Sequence, residues 1–219
     1  FGDLPATAMR SSPDDAKTTA GGETFVVQMD IPQSVVVFGQ RGVNRNSPNY
    51  YAAYVMNYIL GGGGFSSRLY TEVREKRGLA YSVYSYLNPM PLAATISGGV
   101  ATRNNQVAQS INVIRKEWGR MRNFGPSVRE IANAKTYLNG SFPLQLSSTS
   151  SIARMLVAMQ YHDLGIDYID RRDDLINVVT LADVQRVAGQ ILDPKQLTVV
   201  VVGNPRGVEP TAEAPEIEN

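Results

Sequence analysis

The chain has 219 residues, of which 43% are hydrophobic and 19% charged, a composition typical of a soluble globular protein with a well-formed core. Its net charge of +1 argues against nucleic acid or an anionic lipid surface as a main partner. The absence of cysteine excludes a disulfide framework, a thiolate zinc site and a cysteine nucleophile, and no apolar run approaches the ~20 residues of a membrane span.

The two ends of the chain differ in composition from its centre. Residues 1–23 are rich in Pro, Ser, Asp and Gly without apolar periodicity, which predicts an interdomain linker. Residues 206–219 are rich in Pro and Glu and predict a flexible tail. Residues 24–205 are therefore expected to form one domain. Because the chain begins with Phe1 rather than Met, we expect it to be a piece of a longer protein.

The first half of this domain predicts strands in pairs around two helices. A helix is expected to start at Ser47-Pro48, with Ser as its cap and Pro at its first position. A second helix is expected over residues 67–77, with Phe65, Leu69 and Val73 on its apolar face and an i,i+4 pair between Glu72 and Lys76. The predicted strands are 24–31, 33–40, 79–87 and 92–100.

The second half predicts helices followed by one strand. Ser127 with Glu130, and Thr180 with Asp183, have the spacing of helix-capping boxes. The helices are expected near residues 104–123, 127–144, 149–164, 168–178 and 181–192, and the strand at 197–202. This order predicts an α+β fold: a mainly antiparallel mixed sheet with helices packed on one face.

The stretch Gly61 to Tyr81 is the most informative in the sequence. Four successive glycines, Gly61, Gly62, Gly63 and Gly64, exceed what a simple turn needs and expose backbone that a peptide can approach, although a mobile turn also explains them. Arg74 and Tyr81 stand seven apart across Gly78, and both can donate hydrogen bonds to a carbonyl oxygen or an oxyanion. From spacing alone, a surface ion pair for Arg74 and a half-buried strand position for Tyr81 are the better explanation.

The same stretch, Gly-Gly-x-x-x-Ser-Ser-Arg-Leu-x-x-x-Val-Arg-Glu-Lys-x-Gly-Leu-Ala-Tyr-Ser-Val, resembles the C-terminal domain signature of the pitrilysin/insulinase family of zinc metallopeptidases, which includes mitochondrial processing peptidase. The resemblance extends in element order over residues 24–205. It implies that this chain is the half without zinc. In the family, zinc is held by H-x-x-E-H and a downstream Glu on a separate N-terminal domain.

The resemblance also implies functional residues and partners. Arg74 and Tyr81 match the family's pair that touches the substrate backbone, with Tyr81 donating to the tetrahedral oxyanion and Arg74 gripping a substrate carbonyl or steering the phenol. The glycines 61–64 are expected to contact substrate. The expected partners are a peptide and a zinc-bearing N-terminal domain or sister subunit. Bacterial relatives are often exported, which favours the periplasm or cell envelope.

Metal or nucleophilic chemistry within this chain is not supported by its residues. With His162 as the single histidine, H-x-x-E-H cannot exist here, so no metal site or cofactor is expected in the chain. His162 is interpreted as a helix C-terminal residue, and the serine-rich run 147–151 as a helix cap. The stripe of Tyr50, Tyr51, Tyr54 and Tyr58 is interpreted as core packing rather than a ligand site.

Two functions remain open at this point. The first is the substrate-binding half of a zinc metalloendopeptidase, inactive by itself. The second is a non-catalytic structural or assembly subunit of the same fold. The Arg74–Tyr81 pair favours the first, because a scaffold does not require it. An unrelated α+β binding module with a mobile glycine loop is a third reading.

Overall fold

The computed structural model describes Ala16 and residues 21–214. Within them, five strands form a single sheet in the order β1-β5-β2-β4-β3. Only β1 and β5 run parallel; the other neighbours are antiparallel. The predicted mixed, mainly antiparallel sheet is therefore confirmed. The strands are Thr24–Gln28 (β1), Gln33–Arg41 (β2), Ala80–Asn88 (β3), Thr95–Arg103 (β4) and Thr198–Gly203 (β5).

Helices make up most of the rest of the described chain and complete an α+β fold, as predicted. Both predicted capping boxes are present: Ser127 and Glu130 bond reciprocally at one helix start, and Thr180 and Asp183 at another. The helices are Tyr50–Asn57 (α1), Val107–Phe124 (α2), Val128–Gly140 (α3), Thr149–Tyr161 (α4), Tyr168–Asn177 (α5) and Leu181–Ile191 (α6). No helix in the described part combines the length and apolarity needed to cross a bilayer.

The core lies between the helices and one face of the sheet. Alternation along β2 turns Val36 and Phe38 inward, where both are buried. The ring of Phe38 meets Trp118 of α2 edge to face, with centroids 5.6 Å apart. Gly98 of β4 makes room for that ring, since a Cβ there would lie 2.4 Å from a Phe38 ring carbon. The helices are thus packed on one face, as the sequence predicted.

The opposite face of the sheet is apolar and not covered by helices of the described chain. Val35 is 46% exposed and Val37 is 51% exposed, although both lie on the central strand β2. We call this surface the open face. By strand register, its members are Phe25, Val27, Val35, Val37, Val200, Val202, Tyr84 and Tyr86. An apolar surface of this extent is typical of an interface with another chain or domain.

Several local expectations need correction. Helix α1 begins at Tyr50 rather than at Pro48. The predicted helix 67–77 is largely a π-helix over Tyr70–Glu75, and Phe65 is exposed rather than part of its apolar face, whereas Leu69 and Val73 are buried as expected. The beginning of the predicted tail lies against β1, because Thr211 exchanges two hydrogen bonds of 2.8 Å with Thr24. Most of the predicted linker lies outside the described residues.

Candidate functional site

The segment that carries Arg74 is a π-helix, with hydrogen bonds one residue wider than those of an α-helix. The N–H of Lys76 donates to the carbonyl of Thr71, five residues back, at 3.0 Å. Such turns are rare and frequently occur at functional sites. Within this segment the guanidinium of Arg74 donates from Nη1 to the hydroxyl of Tyr70 and lies over the Tyr70 ring, with Cζ 4.9 Å from its centroid.

The segment that carries Tyr81 is a β-bulge on the edge strand β3. Ala80 pairs with Thr102 and Val83 pairs with Val100, so three steps along β3 face two steps along β4. The extra residue breaks the alternation, and Tyr81 and Ser82 are both exposed. Bulges of this kind re-aim side chains at sheet edges. Here the bulge accompanies a Tyr81 side chain that lies beside Arg74.

Arg74 and Tyr81 meet in space. The Cζ atom of Arg74 lies 4.5 Å from the centroid of the Tyr81 ring, a cation–π distance. Tyr81 is 81% exposed, and its hydroxyl makes no hydrogen bond with another described residue. Phe65, 74% exposed, meets Tyr70 edge to face at 4.9 Å. These contacts form a cluster of Phe65, Tyr70, Arg74 and Tyr81. The hydroxyl of the exposed Tyr81 is available in this cluster as a hydrogen-bond donor.

The ion-pair explanation for Arg74 is not what the structure shows. The nearby acid Glu72 pairs instead with Lys76 at 2.7 Å and with Arg77 at 2.6 Å, which confirms the predicted Glu72–Lys76 pair. The hydrogen bond from Lys76 is the main cause that lowers the pKa of Glu72. Among the described residues no carboxylate forms an ion pair with Arg74, so its guanidinium is held by aromatic groups alone.

The glycine run next to this cluster is partly built into a second π-helical turn, Tyr58–Gly62. Gly61 is buried, and a Cβ there would lie 2.4 Å from Ser85 Oγ and 2.7 Å from the Ser85 backbone nitrogen. Gly64 has a φ of +54° and open space around it. Gly62 and Gly64 are exposed and Gly63 is half-buried. Close packing against β3 therefore explains Gly61, while Gly62 and Gly64 are exposed; the Gly64 carbonyl accepts hydrogen bonds from the Ser67 N–H at 3.1 Å and the Ser67 hydroxyl at 2.8 Å.

A partly buried ion pair ties this segment to the helical layer. Arg68 binds Glu130 through two bonds, Nε to Oε1 at 2.7 Å and Nη2 to Oε2 at 2.9 Å, and Nη2 also donates to the Gly125 carbonyl at 3.0 Å. Burial opposes ionisation of Glu130, but hydrogen bonds from Arg68 and Ser127 outweigh it and lower its pKa to about 2. The start of the Arg74 segment is thereby fixed to α3.

The described residues do not form a metal site. They contain no group of three or more His, Cys, Asp or Glu side chains placed to hold a metal ion. His162 caps the C-terminal end of α4, as interpreted from the sequence, and lines a cavity with Arg45 and Arg172. Burial and the positive charge of Arg45 lower the pKa of His162. A metal cation there would face two guanidinium groups, so this donor set does not fit zinc.

These features define a class of protein: an α+β domain with helices on one face of its sheet and no metal ligands among its described residues. The sequence model of one protein family, described as the peptidase M16 inactive domain, matches residues 1–138. The chain belongs to this family. This confirms the resemblance carried by residues 61–83.

Individual relatives agree with that assignment. The chain is 33% identical over 176 residues to an uncharacterized zinc protease of Streptomyces coelicolor, covering 79% of this chain and 38% of that protein. It is 30% identical to the non-peptidase homolog YmxG of Helicobacter pylori, over 82% of this chain and 41% of that protein. The chain thus spans less than half the length of these curated relatives.

A solved structure has the same fold. The peptidase M16 inactive domain from Pseudomonas fluorescens superposes with a TM-score of 0.78 at 28% identity, covering 98% of this chain and 48% of that one. The agreement extends over nearly the whole length of the present chain.

Two members of the cluster were not predicted as site residues. Tyr70 stands four residues before Arg74, and this i,i+4 spacing was the available signal that their side chains meet. Phe65 was interpreted as a core residue because its spacing from Leu69 is helical, but the short turn at residues 64–66 turns it outward. The bulge at Tyr81 has no signal in the sequence of β3.

Proposed function

We propose that this chain is the substrate-binding, non-zinc half of a zinc metalloendopeptidase, which supplies Arg74 and Tyr81 to the peptide site. The observation that carries the proposal is the Arg74–Tyr81 contact of 4.5 Å on the surface, with the Tyr81 hydroxyl free. Tyr81 donates to the oxyanion that develops at the scissile carbonyl, and Arg74 holds the phenol in place and binds a neighbouring peptide carbonyl. Zinc, bound by the other half, supplies the hydrolytic metal chemistry.

The glycine run is included in the peptide site through its exposed backbone. Gly62 and Gly64 lack side chains that would keep a peptide away, and they lie in the segment that leads into Phe65 and the π-helix of Arg74. Gly61 packs closely against Ser85, and the Gly63 N–H donates to the Tyr58 carbonyl at 2.8 Å, which holds the turn in place. Backbone N–H and C=O groups bind a peptide main chain independently of its side chains, which suits a peptidase.

The open face of the sheet is the surface on which the zinc-bearing half packs in this proposal. Val35 and Val37 are about half exposed on a central strand, where burial by a partner removes apolar area from water. Tyr84 and Tyr86 stack at 6.2 Å beside them and offer the aromatic groups that interfaces favour. The small net charge of the chain places no electrostatic barrier against such a contact.

Reconstitution tests the proposal. The 219-residue chain and the zinc-bearing half are each assayed alone and together with a fluorogenic peptide, and metal content is measured after dialysis. We expect cleavage only from the combined halves and no stoichiometric zinc in this chain. Zinc bound stoichiometrically here, with proteolysis by this chain alone, contradicts the proposal.

A second candidate is a structural or assembly subunit without catalysis, and one comparison favours it: the Helicobacter pylori relative is named a non-peptidase homolog. Under this alternative the open face still binds a partner, but the Arg74–Tyr81 pair contributes nothing to turnover. Full peptidase activity of the assembled protein with Tyr81→Phe, together with loss of assembly when the open face is altered, would support this second function.

A further inference from the structure

A cavity of about 220 Å³ lies among four helical segments and is not part of the peptide site proposed above. Tyr50, Tyr51 and Tyr54 of α1 form one wall, and α4 contributes Met155, Ala158 and its cap His162. The side chains of Arg45, before α1, and of Arg172 on α5 complete the lining together with Pro89, Phe142, Gln145, Leu164 and Tyr168. None of these lining residues is an aspartate or a glutamate.

Arg45 is a buried cation without a carboxylate partner among the described residues. It is 8% exposed, and its Cζ lies 4.0 Å from the centroid of the Tyr50 ring. Its Nη2 donates to the Tyr51 hydroxyl at 3.1 Å. Burial raises the pKa of Tyr50 to about 12 and also raises that of Tyr51, so neither phenol ionises to neutralise the guanidinium at neutral pH.

Arg172 adds a second buried cation to the same cavity. It is 3% exposed and stacks on Phe142, with Cζ 4.1 Å from the ring centroid. Its one ion pair among the described residues joins Nη1 to Asp173 Oδ1 at 3.2 Å, and the Asp173 side chain is half exposed and outside the cavity lining. The cavity therefore collects positive charge without an internal counter-charge.

A buried cation without a compensating anion is unfavourable, which indicates that an anion belongs in this space. Planar guanidinium groups pair with carboxylates through two parallel hydrogen bonds, and the tyrosine, methionine and leucine walls suit an apolar body. We propose that this cavity is a binding site for an organic carboxylate with an aromatic or aliphatic body, held by Arg45 and Arg172.

The carboxylate has two sources, a free small acid or the C-terminal residue of a peptide. A neighbouring cavity of about 380 Å³ is lined by Gly62 and Tyr58 and shares Tyr54 and Gln145 with the carboxylate cavity. A chain that passes the glycine run can thus continue toward Arg45. This second source rests on the proposed peptidase function, whereas the carboxylate site itself does not.

Calorimetry with the 219-residue chain tests the site through a matched pair of probes. Benzoate and benzamide have the same ring, but benzoate carries a negatively charged carboxylate where benzamide carries a neutral amide. We expect benzoate to bind at least about ten-fold more tightly than benzamide, the usual effect of a charge-assisted hydrogen bond. Equal affinity of the two probes, no binding of benzoate, or inorganic phosphate binding more tightly than benzoate would overturn the proposal.

Variants locate the binding in this cavity. Arg45→Met should weaken benzoate at least about ten-fold, and it should leave the melting temperature unchanged or raise it, because it removes an uncompensated buried charge. Arg45→Lys keeps a cation but loses the planar guanidinium, so its affinity for benzoate should lie between those of the wild type and Arg45→Met. Arg154→Gln, an exposed arginine of α4 outside the lining, is the control and should bind like the wild type. Unchanged affinity in both Arg45 variants would refute the assignment.

Peptides separate the two sources. A short peptide ending in a free Phe carboxylate is compared with the same peptide amidated at its C-terminus, both measured by binding rather than by cleavage. Preference for the free carboxylate assigns the site to peptide ends. Binding of benzoate with no preference between the peptides assigns it to small acids. Either result is independent of whether the assembled protein cleaves peptides, so failure of the proposed function and failure of this site are distinguishable.

Discussion

The guanidinium of Arg74 lies over the ring of Tyr81, with its Cζ atom 4.5 Å from the ring centroid, although the two residues belong to a π-helix and to the bulge of an edge strand. The contact orients a phenol that is otherwise free in solvent. Two donors on one surface are suited to a carbonyl oxygen that gains negative charge during a reaction. The first two predictions below separate the contributions of these two side chains.

The first prediction is that Tyr81→Phe, in the assembly with the zinc-bearing half, lowers kcat by about 100-fold while KM changes little. The substitution removes the hydroxyl donor but keeps the ring on which Arg74 rests. Steady-state kinetics on a peptide substrate measures both constants. Tyr161→Phe, an exposed tyrosine of α4 away from the open face, is the control and should retain normal turnover. An unaltered kcat in Tyr81→Phe would leave the assembly function as the better explanation.

The second prediction concerns Arg74. Arg74→Ala should raise KM more than Tyr81→Phe does, because under the proposed function it removes a group that binds the ground-state peptide, and it also releases Tyr70 and Tyr81 from their common contact. Arg74→Lys should recover only part of this loss, since an ammonium lacks the planar fork that stacks on the rings. Complete rescue by lysine would mean that charge alone is sufficient at this position.

The third prediction is a pH-dependent contribution of Glu130 to stability. Its folded pKa of about 2 lies below its ordinary value of 4.5, so the stabilisation is complete above about pH 5 and is lost as the pH falls toward 2. Glu130→Gln keeps the capping geometry but loses the charge that binds Arg68. Because 32% of the side chain is exposed, we expect the free energy of unfolding at pH 7 to fall by only about 1–2 kcal/mol.

Denaturant unfolding of the wild type and Glu130→Gln between pH 7 and pH 2 measures this contribution. The difference between the two proteins should shrink as the pH falls through this range. Asp183→Asn, which alters the exposed capping box of α6, should show a much smaller difference at pH 7. A gap between wild type and Glu130→Gln that is constant with pH would show that the Arg68–Glu130 pair does not carry the effect.

The fourth prediction is that Gly61→Ala destabilises the domain by about 1–3 kcal/mol, as overpacked substitutions do. Its methyl group would meet the Ser85 backbone nitrogen of β3 at 2.7 Å, and backbone in a sheet does not move aside easily. Gly189→Ala in α6 meets no atom within 4 Å and should instead stabilise by about 0.5–1 kcal/mol, since alanine favours a helix. Thermal or urea unfolding of both variants provides the comparison.

The fifth prediction concerns the open face. Val37→Lys should weaken association with the zinc-bearing half at least about ten-fold, because a charge replaces apolar area in the proposed interface. The isolated chain should keep its stability, since Val37 is half exposed there. Val157→Lys alters an exposed valine of α4 on the helical side and should leave association unchanged. Sedimentation or calorimetry measures the pairing, and equal effects of both variants would show that the open face is not the interface.

Much of the fold could be predicted because the relevant signals are local. Ser127 and Glu130 lie within one helical turn, so their reciprocal bonds follow from spacing. The β-branched and aromatic run of Val35, Val36, Val37 and Phe38 predicts a strand, but only the structure shows that Val36 and Phe38 are on its buried face. The helix over residues 67–77 was predicted less accurately, because residue preferences do not distinguish the wide turns of its π-helix from an α-helix. The predicted start of α1 was early, because Ser47 and Pro48 form a turn in which the Tyr50 N–H donates to the Ser47 carbonyl.

The sequence by itself determined the fold class and the family, and it singled out Arg74 and Tyr81 as candidate site residues, because these inferences depend on periodicity, capping and a dense motif. The tertiary structure decided which side chains meet. The π-helix brings Tyr70 into contact with Arg74, and the turn before it brings Phe65 into contact with Tyr70. The tyrosine stripe packs against the core, as interpreted from the sequence. Tyr50, Tyr51 and Tyr54 also line a cavity with Arg45 and Arg172, which come from segments more than 100 residues apart. Residue patterns report short-range preferences, whereas such meetings depend on how distant segments pack together.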